Sequence, residues 1–130
     1  MKTLLIAESA VVGTAGLALL LIPSAAASVM FSSSLGDPVG SFVCRGAGAT
    51  LFTLGLVCWL WRKTGERRAT TGLIGAMFLY DTAVVVVLLS ARSTVGLSGV
   101  GLWPAIVIHL GLGIWCLVDL FRVPGLSRLA

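Results

Sequence analysis

Four ionisable side chains interrupt the apolar stretches of this chain: Glu8, Arg45, Asp81 and His109. Asp81 is the most demanding. It sits near the middle of TTGLIGAMFLYDTAVVVVLLSA, Thr70 to Ala91, a run of about 22 residues and long enough for a helix to cross a bilayer. A carboxylate at the bilayer centre costs about 2.5–3.5 kcal/mol on insertion scales. The apolar run Val84 to Leu89 offsets part of that cost, but the carboxylate must still face protein or water rather than lipid. Two kinds of chemistry follow. One is a buried polar site for a proton, a small solute or a headgroup. The other is an ion pair that neutralises itself and only fixes helix register. At a rise of ~1.5 Å per residue, Asp81 and His109 reach about the same level near the midplane, and Arg45 lies about 8 Å shallower. Asp81 is therefore expected to face His109 in the interior, with Arg45 above them. Glu8 falls in the inner third, where it either joins this buried polar site or snorkels to the interface.

Other chemistries find little support. No G-x-G-x-x-G, P-loop, HExxH or G-x-S-x-G motif occurs, so nothing points to nucleophilic catalysis. Cys44, Cys58 and Cys116 lie inside apolar runs without a CxxC and read as small apolar helix residues. A single His and scattered Cys argue against a structural zinc site. Haem would want a second axial donor, and no second His exists. No metal and no cofactor are expected, and the protein reads as non-enzymatic.

The elements that must position these residues are set by composition. Of 130 residues, 58% are hydrophobic and only 11% charged, whereas soluble chains carry about 25% charged residues. The expectation is an all-α membrane protein. It is a single domain over residues 1–130, folded as an antiparallel bundle of four transmembrane helices with spans near 3–22, 40–61, 70–91 and 100–121. The first run has a second reading. Lys2, the apolar stretch and Pro23 to Ala27 resemble a cleaved secretory signal with an A-x-A site. The length of the run and the interruption at Glu8 favour a retained helix. Ser9, Gly13 and Gly16 form a strip of small residues on it, and Cys44, Gly48 and Gly55 form another on the second run; both suit close helix contact.

The connections are also legible. Pro23 to Val39 is the longest and contains no Lys or Arg; Val29-Met30-Phe31 is expected to dip into the interface. Asp37-Pro38 reads as an N-cap followed by Pro in the first turn. Arg92 to Gly99 reads as a turn. Asp119 and Arg122, three apart, are expected to pair, and Val123-Pro124-Gly125 to stop the last helix. Trp59, Trp61 and Trp103 mark the interfaces.

The net charge of +4 does not indicate nucleic acid, because the basic residues flank the apolar runs. Lys2, Arg62, Lys63, Arg67, Arg68, Arg122 and Arg128 fall on one side and Arg92 on the other. The positive-inside rule then places both termini in the cytoplasm, in a bacterial cytoplasmic (inner) membrane. The expected partners are the lipid bilayer and either another membrane protein or a second copy of the chain.

The segment Cys44-Arg45-Gly46-Ala47-Gly48-Ala49 through Trp59-Leu60-Trp61-Arg62 resembles the second helix of small bacterial four-helix membrane proteins of the broad DoxX-like group. An Arg- and Gly/Ala-rich start and an aromatic-basic end frame the helix there. Some members are tied to quinone-linked sulfur oxidation, so the resemblance implies an accessory or redox-associated role without designating a catalytic residue. Glu8 also resembles the first-helix glutamate of small multidrug transporters, although it sits closer to the N-terminus. The leading expectation is an accessory subunit or a small-ligand-binding bundle. The alternatives are a proton-coupled transporter of a small solute, titrating at Asp81 or Glu8, and a quinone-associated membrane subunit.

Overall fold

The computed structural model describes residues 1–32 and 36–122. The expected stop at Val123-Pro124-Gly125 lies outside them. The described chain forms five helices: α1 Lys2–Leu21, α2 Pro23–Phe31, α3 Pro38–Trp61, α4 Arg67–Val95 and α5 Leu102–Phe121. All but α2 are long and apolar enough to cross a membrane.

Helix α2 is a correction to the sequence reading, which takes Pro23 to Val39 as a connection. Ile22 leaves helical geometry (φ −131°, ψ 57°), and Pro23 then occupies the start of α2. Proline has no N–H to lose there, and its fixed φ suits a first turn. The proline that ends one helix therefore begins another. The last turn of α2 seats the loop before α5. The Gly101 N–H donates to Val29 O at 2.9 Å, and Gly99 lies so close to the Met30 backbone that a Cβ would overlap it.

Helix α3 starts as expected. The Asp37 side chain accepts a hydrogen bond from the Gly40 N–H, with Pro38 in the first turn. Helix α4 outruns its expected span at both ends, taking in Arg67 and Arg68 and continuing through Val95. The apolar run sets only the expected span; helical geometry continues through Arg92, Ser93, Thr94 and Val95. Gly96 (φ +71°) ends it. In that left-handed conformation, which costs Gly little, the Gly96 and Leu97 N–H groups cap the Arg92 and Ala91 carbonyls at 3.1 and 3.3 Å.

Two close helix pairs build the molecule. Helices α1 and α3 run antiparallel with their backbones nearly touching. A Cβ added at Gly48 would sit 2.6 Å from Leu20 N and 2.7 Å from Gly16 O. One added at Gly55 would sit 2.7 Å from Gly13 Cα, and one at Gly16 would overlap Phe52 N. Small residues supply packing in lipid by permitting this approach. The strip on α1 is only partly as expected, because a Cβ at Gly13 would meet nothing within 4 Å. Gly13 offers its backbone to Gly55, while a side chain at Gly13 would start into open space.

Helices α4 and α5 also run antiparallel, with Val85 and Leu88 packed among Leu102 and Ile106. The two pairs join through Leu4, Leu5, Val12, Cys58, Ile74, Met77, Leu112 and Cys116, all buried in one cluster. At one end, the amino nitrogen of Met1 lies 2.7 Å from Asp119 Oδ2. This corrects the expected Asp119–Arg122 pair. Asp119 is buried against α1, whereas Arg122 is exposed at the end of its helix.

Candidate functional site

Three helices bring a polar cluster into this apolar interior: α1 contributes Glu8, α4 contributes Asp81, and α5 contributes His109 and Cys116. Glu8, Asp81 and Cys116 are 0% exposed and His109 is 9% exposed. On α5 the positioning is simple. His109 and Cys116 are seven residues apart, two helical turns, and so share a face with Leu102, Ile106 and Leu112, other buried residues of that helix.

The His109 Nδ1–H donates to Asp81 Oδ1 at 2.7 Å. The ring of Tyr80 meets His109 edge-on, with centroids 5.7 Å apart and planes at 75°. The Cys116 Sγ–H donates to Glu8 Oε1 at 3.4 Å. Single donor atoms of Glu8, Asp81 and Cys116 all lie within 4.8 Å of one another. One oxygen of each carboxylate, Glu8 Oε2 and Asp81 Oδ2, is buried without a hydrogen-bond partner. Buried polar atoms in native proteins are nearly always paired, and leaving one unpaired costs about 1–3 kcal/mol, more if it is charged. Gly113 faces Asp81, where a Cβ would lie 3.5 Å from the Asp81 Cβ. A crevice of about 150 Å³ opens there between α4 and α5, lined by Phe78, Asp81, Val85, His109 and Gly113 among others.

The arrangement limits the charge the site carries. Asp81 has His109 as its partner. Glu8 beside it has a thiol as its only hydrogen-bond donor among the described residues. In a low-dielectric interior, a second carboxylate needs a countercharge, either a proton or a cation.

Of the four residues singled out from sequence, the structure brings together Glu8, Asp81 and His109 but not Arg45. Asp81 faces His109 as expected. Glu8 does not snorkel; it turns inward onto α5. Arg45 is exposed and has no ion pair among the described residues. The reason lies in α3, which packs on α1 through Gly48 and Gly55 rather than against α4. Arg45 lies about 60° round the helix from Gly48, near the α3 N-terminus, where a long side chain can reach an interface. Cys116 was missed by reading its three cysteines as a class. The signal available was its seven-residue spacing from His109.

An all-helical protein is thus defined, with four helices long enough to span a membrane and an acid–imidazole–thiol cluster among three of them. The chain belongs to the DUF8292 family, described as a domain of unknown function, whose model matches residues 6–126. No curated protein matches the chain, and no solved structure does.

Proposed function

We propose that this is a small, non-enzymatic, multi-pass protein of a bacterial cytoplasmic membrane whose bundle binds a small ligand at Glu8, Asp81, His109 and Cys116. The observation that carries the proposal is the pair of buried carboxylate oxygens, Glu8 Oε2 and Asp81 Oδ2, facing no donor. A cluster that existed only to fix register would satisfy both. Polar groups held unsatisfied at a cost in stability are the mark of a site that something else completes. An accessory role, as the likeness of residues 44–62 to DoxX-like proteins implies, belongs to the same proposal, with the bundle as the ligand-holding part of a larger assembly.

The stability of ligand-free, detergent-washed protein tests this. Glu8→Leu preserves side-chain volume approximately and removes the unpaired carboxylate, so it should raise stability by about 1–3 kcal/mol. A loss of stability on Glu8→Leu would mark the residue as structural and end the proposal.

The four spans and cytoplasmic termini rest on loop charge and on two arginine–tryptophan contacts at opposite ends of the bundle. The Arg62 guanidinium lies 3.3 Å from the ring centroid of Trp59, and that of Arg92 lies 5.4 Å from the ring centroid of Trp103. Single cysteines at Thr64 and Ser98, in a background with Cys44, Cys58 and Cys116 replaced by Ala, should react with an impermeant maleimide from opposite sides. Thr64→Cys should label only after the membrane is opened, and Ser98→Cys in intact cells. Labelling from the same side would rule out the four-span topology.

A further inference from the structure

We propose that the ligand of this site is a divalent transition-metal ion of the zinc class, bound directly by Glu8, Asp81 and Cys116 and held in register by His109. This rests on the reading above that the cluster is a ligand site, and it names the ligand class.

The geometry is the first ground. Donor atoms around one ion at about 2.0–2.3 Å stand about 3.3–3.8 Å apart. The donors of Glu8, Asp81 and Cys116 already lie within 4.8 Å of one another, so shifts of about an ångström, well within side-chain freedom, bring them to one centre. The two carboxylate oxygens, each on a wholly buried side chain, are the independent ground, since neither has a hydrogen-bond partner among the described residues.

The donor types select the ion. Two carboxylates alone would suit a hard ion such as Mg²⁺ or Ca²⁺, which takes six or more oxygens. The buried cluster cannot supply that number. A thiolate with two oxygens matches a borderline ion of low coordination number. Cys116 would bind as thiolate, its proton leaving as the ion arrives. Electrostatics agree: a divalent cation offsets the negative charge that Glu8, Asp81 and Cys116 bring as ligands, and so lowers the charge a buried site must carry.

His109 is a positioning residue. Its bond to Asp81 Oδ1 leaves Oδ2 for the ion and fixes the carboxylate's rotation, the support that orients a metal ligand. The crevice beside Gly113 lies against Asp81 and His109 between α4 and α5. The proposal departs from the sequence-based expectation of no metal, which took the cysteines together as small apolar helix residues and could not see Glu8 beside Cys116.

The experiment uses the full chain in mild detergent, with Co²⁺ and Zn²⁺ alone as probes. Co²⁺ should bind one per chain and give the near-ultraviolet charge-transfer band of a cobalt–thiolate bond, and Zn²⁺ should displace it. Cys116→Ser should abolish the band and Cys44→Ser should leave it unchanged. Glu8→Gln and Asp81→Asn should each weaken binding at least 100-fold, and His109→Gln about 10–100-fold, as loss of a group that hydrogen-bonds a metal ligand does. A zinc-edge absorption spectrum of the unmodified protein needs no variant to fold; it should show one sulfur near 2.3 Å and oxygen or nitrogen at about 2.0–2.2 Å. Absence of binding, a spectrum without sulfur, or a band that survives Cys116→Ser would each overturn the metal assignment. If Glu8→Leu is nevertheless stabilising, the ligand-site reading stands and only the ion falls; if Glu8→Leu is destabilising, both fall.

Discussion

Gly16→Leu should cost more than about 3 kcal/mol of stability in detergent, above the usual range for overpacking. Gly13→Leu, one turn earlier on the same helix, should cost less than about 0.5 kcal/mol, as surface changes do. Both sites carry glycine on α1, and both lie in the strip of small residues. They differ in what a side chain would meet. A Cβ at Gly16 would run into the α3 backbone at Gly48, Leu51 and Phe52, whereas one at Gly13 would meet nothing within 4 Å. Backbone atoms in a helix cannot rotate aside as a side-chain tip can. The strain must therefore separate α1 from α3 along their whole contact. With no water to drive apolar surfaces together in lipid, lost packing is not recovered by any hydrophobic term. Thermal unfolding of the two variants, followed by far-ultraviolet circular dichroism or by aggregation onset, measures the difference. Equal losses at both positions would mean that the helices are rotated from the positions described.

The second large effect concerns the buried pair. His109→Leu should cost about 3–5 kcal/mol, the price of stranding one partner of a buried ion pair. Asp81 would then keep both oxygens buried, with no donor to either. Adding Asp81→Leu should restore most of the loss, because an apolar pair of similar volume in a bundle core is often no less stable than the ion pair it replaces. The double-mutant cycle separates this coupling from simple packing changes. If the two substitutions add without recovery, the 2.7 Å contact contributes little. If they couple as expected, His109 and Asp81 Oδ1 satisfy one another, and the cluster's remaining unsatisfied groups are Glu8 Oε2 and Asp81 Oδ2.

The chain's composition and periodicity by themselves determined the helical class, the four long apolar helices and several of their ends. These properties depend on neighbours along one chain. Twenty apolar residues favour a helix long enough to span, and Asp37 caps the helix that Pro38 begins. The pairing of Asp81 with His109 was also legible, because a short connection between α4 and α5 links depth to sequence distance. Tertiary structure alone decided which helices touch. Small residues on α1 and α3 appear as strips in sequence, but rotation about each helix axis decides whether Gly13 or Gly16 carries the contact. That same choice placed α3 against α1 and left Arg45 outside, although its expected level, about 8 Å shallower than Asp81, was one a long side chain could largely bridge. It also turned Glu8 inward to meet Cys116, a residue 108 positions away. Depth in a membrane can be counted along a helix, but the facing of a side chain depends on which helix packs beside it, and no local pattern encodes that.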